Sequence, residues 1–135
     1  FIIFPSNKVD NKLTINGSRG FNSRIVDRFD LTLECIRRFY LGIESPLYET
    51  FSRYTDFFEL FENFKGYIEF FLLQDIVSDD FSEIRFYLPF DDSFPSQPLP
   101  TNLDDYLSYI EHTNNFVINR GRRMFNQASW IQVKV

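Results

Sequence analysis

Polar chemistry in this chain concentrates between Asn16 and Tyr40. The stretch Asn16-Gly-Ser-Arg-Gly-Phe-Asn22 reads as a glycine-broken turn opening into a helix. That helix carries Arg24, Arg28, Arg37 and Arg38 together with the carboxylates Asp27, Asp30 and Glu34. A helix start presents unpaired backbone N–H groups, and arginine adds a planar fork of donors. Asn16, Arg19 and Asn22 are therefore candidates to hold a phosphate or a carboxylate, although Arg19 could equally tie the turn down by bonding carbonyls. Helical spacing puts Asp27, Asp30, Glu34, Arg37 and Arg38 on one face, a set suited to a divalent metal or to acid–base work. The same face reads as ordinary surface pairing, because Glu34 precedes Arg37 and Arg38 by three and four residues, an arrangement worth roughly 0.2–0.5 kcal/mol per pair. Arg28 turns towards Thr32, Cys35 and Phe39 at the apolar border, which predicts less exposure than Arg37 or Arg38 and an acidic or carbonyl partner.

Other polar residues carry less. Asp75 follows an apolar run, so Gln74 and Asp75 either end a buried element or project into a cleft, with Asp75 a fair partner for an arginine such as Arg28. Asp79-Asp80 and Asp91-Asp92 bracket a predicted strand and could approach a metal if their loops folded together, although solvated loop ends are the simpler reading. His112, the sole histidine, points away from the apolar stripe of its helix, and Cys35 lacks the signature of a nucleophile and reads as a small packing residue. No complete catalytic motif appears, and no metal-ligand pattern.

These residues must be positioned by the surrounding elements. Phe1 to Phe4 and Lys12 to Ile15 are short extended patterns on either side of a polar turn, which predicts a hairpin or two edge strands. Asn22 or Ser23 caps the first long helix, Ile25, Phe29, Leu33, Ile36 and Tyr40 form its buried stripe, and Gly42 closes it. Ser45-Pro46 starts a second helix reaching about Glu62, with Leu47, Phe51, Tyr54, Phe58 and Phe61 on one face. Tyr67 to Val77 is apolar nearly throughout, so periodicity does not separate helix from strand, and length favours helix. Glu83 to Phe90 alternates as a half-buried strand with Ile84, Phe86, Leu88 and Phe90 inward. After a proline-rich loop, Thr101 or Asn102 caps a last long helix with the stripe Leu103, Tyr106, Leu107, Ile110, Val117, Ile118, Met124 and Phe125. Arg120, Arg122 and Arg123 complement its C-terminal end. Trp130 to Val135 alternates like a final strand. The expected fold is α+β, a predominantly helical single domain over 1–135 with three main helices and a few short antiparallel strands.

Composition bounds the function. Eighteen Phe, seven Tyr and one Trp in 135 residues supply ample apolar surface for a core. The net charge of −5 is unevenly spread: residues 1–48 hold seven basic and five acidic groups, residues 49–100 three and eleven, and residues 101–135 four and three. So acidic a centre makes non-specific nucleic-acid binding unfavourable, since phosphate attraction supplies most of that affinity. Cys35 stands alone, which excludes an internal disulfide and a cysteine-rich zinc site and fits a reducing, cytoplasmic compartment. No apolar run approaches the ~20 residues of a spanning helix, which predicts a soluble protein and no membrane partner. The chain begins at Phe1 and its only methionine is Met124, so it reads as the C-terminal part of a longer polypeptide.

Several stretches carry a resemblance: Phe4-Pro-Ser-Asn-Lys-Val-Asp10, Thr14 to Asn22, Asp27-Arg-Phe-Asp-Leu-Thr-Leu-Glu-Cys-Ile-Arg-Arg38, Phe70 to Asp75 and Pro89-Phe-Asp-Asp92. Together they resemble a family of uncharacterised bacterial proteins, whose members carry a further N-terminal segment. The resemblance brings no activity, substrate or cofactor. Two functions follow from the residues themselves. One is a binding or interaction domain that recognises a protein partner. The alternative is an enzyme or small-ligand protein for a phosphate or nucleotide, with Asn16, Arg19, Asn22 and Arg28 on the anion, Asp30 or Glu34 as acid–base groups, and Asp75 beside them.

Overall fold

A computed structural model describes the backbone of residues 4–134 and the side chains as far as Gln127. After a turn in which Lys12 N donates to Val9 O at 3.1 Å, the Thr14 hydroxyl accepts from the Gly17 N–H at 3.2 Å and caps a helix, α1, over Ile15–Phe21. Lys12 to Ile15 is therefore the approach to a helix and not a strand, and the Phe1 to Phe4 strand falls mostly outside the described residues. The supposed Asn16–Asn22 turn is α1 itself, with Arg19 in its last turn.

Asn22 ends α1 instead of starting the next helix: its side-chain oxygen accepts from Arg24 N at 2.9 Å and folds the chain into a turn. Val26 and Asp27 then take positive φ of 44° and 58°, and α2 begins only at Phe29, running Phe29–Tyr40. From Asp30 to Ile36 every residue of α2 is buried, so this helix is enclosed by the rest of the chain instead of turning one stripe inward. Gly42, at φ 72°, closes it as expected, with Gly42 N donating to Phe39 O at 3.1 Å and Ile43 N to Arg38 O at 2.8 Å.

The helix expected from Ser45 to Glu62 is broken into α3 (Tyr48–Ser52) and α4 (Thr55–Glu59). Tight three-residue bonds from Arg53 N to Thr50 O and from Tyr54 N to Phe51 O replace the helical ladder at the break. Side chains draw the break outward, since Arg53 Nη2 donates to Leu13 O at 3.0 Å and Tyr54 Oη to Asn7 O at 2.7 Å. The stripe survives: Leu47, Phe51, Tyr54 and Phe58 are buried and Phe61 is half-buried. Phe58 stands at its centre, with ring centroids 5.0 Å from Phe51, 5.1 Å from Phe57, 5.2 Å from Phe39 and 6.3 Å from Tyr67.

Asn63 caps α5 (Phe64–Phe70) by accepting from Gly66 N at 2.8 Å. A positive φ of 56° at Leu72 then stops the expected Tyr67–Val77 helix, leaving a 3-10 turn at Gln74–Ile76. Glu83 to Phe90 forms no strand. A single antiparallel bridge joins Val77 to Ile84, and the inward residues are Ile84 and Tyr87, while Phe86, Leu88 and Phe90 are half-buried. Asn102 caps α6, accepting from Asp105 N at 2.9 Å, and α6 runs Leu103–Lys134. Trp130 to Lys134 thus continues a helix, and Val135 lies outside the described residues. Among the described residues there is no strand or sheet. The fold is all-α, correcting the α+β expectation, because the alternating segment finds side chains of α2 and not a partner strand.

Candidate functional site

The inward end of α2 is an ion pair. Arg28 is 3% exposed and Asp30 fully buried. The guanidinium engages both carboxylate oxygens, Nε to Oδ1 at 2.9 Å and Nη2 to Oδ2, and Nη1 donates to Pro98 O at 2.7 Å. Asp30 also accepts from Leu31 N at 2.9 Å and Tyr87 N at 2.8 Å, and the Tyr109 ring lies 5.8 Å from the Arg28 guanidinium carbon. Arg28 is thus less exposed than Arg37 or Arg38 and has acidic and carbonyl partners. Its carboxylate is Asp30, two residues away, and not Asp75. The pair fastens the 85–98 segment to the start of α2. With both carboxylate oxygens and all three guanidinium nitrogens occupied, it is a structural clamp.

Glu34 is also buried, and it receives Arg37 Nε at 2.6 Å, Arg37 Nη2 at 2.9 Å and Arg38 Nε at 3.4 Å. The face read as solvated surface is covered by the loop that follows the 3-10 turn. Arg38 continues to Asp92 at 3.2 Å and lies 5.0 Å from the Phe94 ring centre. Asp75 takes a two-bond fork from Arg123, Nε to Oδ2 at 3.2 Å and Nη2 to Oδ1 at 3.0 Å. Asp80 is a loop end bonded to Ser78 and Ser82, and those bonds hold its carboxyl below the ordinary range. Among the described residues no group of three His, Cys, Asp or Glu side chains gathers as metal ligands, so Asp27, Asp30 and Glu34 do not assemble a cation site.

Arg19 stands apart. Its Nε donates to Thr32 Oγ1 at 2.8 Å, Nη2 to Asp27 O at 3.0 Å and Nη1 to Asn16 Oδ1 at 3.4 Å. All three acceptors are neutral, whereas Arg28, Arg37, Arg38 and Arg123 each reach a carboxylate. Burial lowers the Arg19 guanidinium below its ordinary value, opposed by the charge of Asp27. Asn22 stays outside this group, with its amide directed at Pro46 O at 3.4 Å. Arg19 and Asn16 line a cleft of about 210 Å³ with Phe4, Phe29, Phe116 and Arg120. Arg120 reaches it from α6, anchored by Nε and Nη2 to Phe71 O at 3.1 and 2.9 Å. Tyr67, fully buried on α5, has a hydroxyl with no hydrogen-bond partner among the described residues, and it lies in the field of both Arg19 and Arg120.

The profile of a family described as a family of unknown function, DUF6994, matches residues 1–124. The chain belongs to the DUF6994 family. Neither a curated protein nor a solved structure matches it. The uncharacterised-family resemblance is thereby established, and membership assigns this DUF6994 chain no chemistry of its own.

Of the seven candidate ligand residues in the DUF6994 chain, the fold brings Asn16 and Arg19 together, commits Arg28 and Asp30 to the clamp, and gives Glu34 and Asp75 to other arginines. Arg120 and Tyr67 were not among those candidates. The spacing of Tyr109, Thr113, Phe116, Arg120 and Arg123 was the available signal, placing Arg120 on the docked face of α6. His112 is exposed, with Nδ1 2.7 Å from Ser108 O. Cys35 is fully buried, and burial pushes its thiol up to about 12. Among the described residues no helix is long and apolar enough to cross a membrane.

Proposed function

We propose that the chain is a soluble protein-interaction domain that pairs with a second copy of itself through the outward face of α6. The observation behind this reading is the apolar stripe opposite the docked side of that helix. Leu103, Tyr106, Leu107, Val117, Ile118 and Phe125 are each more than half exposed, from 52% at Ile118 to 70% at Phe125. The docked side instead uses Tyr109, Phe116, Arg120 and Arg123.

Charge and shape favour an antiparallel second copy. Asp104, Asp105 and Glu111 lie early in α6, and Arg120, Arg122 and Arg123 lie late. Antiparallel pairing about Asn114 sets Leu103 against Phe125, Ile110 against Ile118, and Leu107 against Gly121, where an added Cβ would meet nothing within 4 Å. Exposed Asp104 then approaches exposed Arg122 of the other copy, and the helix dipoles oppose. Burying a half-exposed side chain of this kind recovers roughly 0.8–1.5 kcal/mol, half the value for full burial. Six such chains on each copy give on the order of 9–18 kcal/mol, against an association cost of about 4–15 kcal/mol. The dimer is accordingly concentration-dependent.

Sedimentation equilibrium tests this. The wild-type chain should move from monomer to dimer with increasing concentration, and Leu107→Glu with Val117→Glu should stay monomeric with an unchanged thermal midpoint at dilutions where the wild type is monomeric. A wild-type chain that remains monomeric into the millimolar range defeats the reading.

A further inference from the structure

We propose that a cavity of about 480 Å³ between residues 8–13 and α3 binds a small polyphosphate anion without an aromatic group, held by Lys8, Lys12 and Arg53. It shares no lining residue with the Arg19 cleft, and no residue of α6 lines it, so the proposal is independent of pairing through that helix.

Arg53 is the first ground. Its side chain is 13% exposed, yet of the five N–H groups of a guanidinium only one finds an acceptor among the described residues, Nη2 on Leu13 O at 3.0 Å. Arg28, Arg37 and Arg123 instead each fork onto a carboxylate. Nε of Arg53 is sealed from solvent and is out of a ligand's reach. Nη1 is the donor that remains, since the Glu49 carboxylate beside it is 3.9 Å away, beyond hydrogen-bond range.

Charge balance is the second ground. Lys12 Nζ also lies 3.9 Å from Glu49 Oε1, so Lys12 and Arg53 share one carboxylate, and that carboxylate is 85% exposed and screened by water. Lys8 is exposed and forms no ion pair among the described residues. Three cations and one carboxylate line the cavity, which leaves it positive in a chain whose net charge is −5. Separated positive groups suit an anion whose charge is spread over more than one phosphate: the lysines act as point charges and Arg53 as a directed donor.

The neutral lining adds a donor. Thr50 Oγ1 donates to Ser18 Oγ at 2.9 Å, and a pair of hydroxyls sharing one hydrogen bond keeps one proton to give. The backbone around the cations is already set. Asp10 and Asn11, at φ 54° and 57°, form a tight turn closed by Lys12 N on Val9 O, and Tyr54 Oη holds the Asn7 carbonyl next to Lys8. No aromatic side chain lines the cavity, and Leu13 is its one apolar wall. A nucleobase therefore finds no ring to stack on, which points to a pyrophosphate without a base.

Calorimetric titration of the full chain with pyrophosphate, inorganic phosphate and ADP tests the site. Pyrophosphate should bind saturably, more tightly than inorganic phosphate and no more weakly than ADP. Lys8→Gln should weaken it severalfold. Glu49→Gln should tighten it severalfold by removing the competing carboxylate, a gain that damage to the fold would not produce. Both side chains are exposed, so the unliganded thermal midpoints should stay at the wild-type value. Lys65→Gln, an exposed lysine outside the cavity, should leave the affinity unchanged. No saturable binding of pyrophosphate, an unchanged or weakened affinity in Glu49→Gln, or equal losses in Lys8→Gln and Lys65→Gln overturns the site. Tighter binding of ADP than of pyrophosphate overturns the assigned class of ligand.

Discussion

Asp30→Asn is the sharpest test of the clamp. The substitution is nearly isosteric, so its effect reads charge and hydrogen bonding instead of a cavity. Asp30 accepts four bonds, from Arg28 Nε, Arg28 Nη2, Leu31 N and Tyr87 N, at a fully buried position. Neutralising it leaves the Arg28 guanidinium buried with the Pro98 carbonyl and the Tyr109 ring. Breaking one side of a buried pair costs about 3–5 kcal/mol, against a typical stability of about 5–15 kcal/mol, so unfolding should be followed by urea at low temperature. Arg28→Met should cost less, because the carboxylate left behind keeps two backbone N–H donors. The double variant should not return to wild type, since asparagine at position 30 keeps one acceptor oxygen and only one of Leu31 N and Tyr87 N retains its partner, the other costing roughly 1–3 kcal/mol. It should still fall short of the sum of the single losses by roughly 1–3 kcal/mol. A loss below about 1 kcal/mol for Asp30→Asn, or strict additivity across the cycle, refutes the clamp.

Two further outcomes are checked by unfolding and labelling. Gly66→Ala places a Cβ 2.0 Å from the Phe61 carbonyl oxygen, so the usual helix gain of roughly 0.5–1 kcal/mol should become a loss of roughly 1–3 kcal/mol; a raised thermal midpoint contradicts this. Cys35 should resist disulfide-exchange reagents until the chain unfolds, and rapid native labelling would contradict its burial. Its folded thiol pKa of about 12 lies above the ordinary 9.0, so its stabilising contribution is complete below 9.0 and is lost as pH rises towards 12. By pH 10 the loss is on the order of 1 kcal/mol, and Cys35→Ala should remove that part of the slope.

What the sequence made legible was mostly local. The stripe from Leu47 to Phe58 depends on spacing within one stretch, and it stayed together even though Arg53 and Tyr54 broke the helix. Gly42 was legible because a closing turn needs positive φ. The strand read over Glu83 to Phe90 failed for a distant reason: Asp30 takes the Tyr87 N–H that a neighbouring strand would have taken. In α6 two stripes interleave, and hydropathy selected the exposed one. The docked stripe contains Arg120 and Arg123, whose heads end on the Phe71 carbonyl and Asp75, so it does not look apolar in sequence. The buried place of Arg28 was foreseen from a helix starting too early, and it holds because the residue caps α2 instead of lying within it. The site was half legible: Arg19 and Asn16 were visible from their types, while Arg120 and Tyr67 depended on tertiary packing.

The clamp also orders events in time. Phe58 meets rings no farther along the chain than Phe39 and Tyr67, so the aromatic centre can gather through short closures. Asp30 reaches Tyr87 across 57 residues and Arg28 reaches Pro98 across 70. Closing a flexible loop of that length costs roughly 3.6–4 kcal/mol of chain entropy, about what the pair returns. Residues 78–102 are therefore expected to close as a latch, setting after the helices have met and releasing before they part.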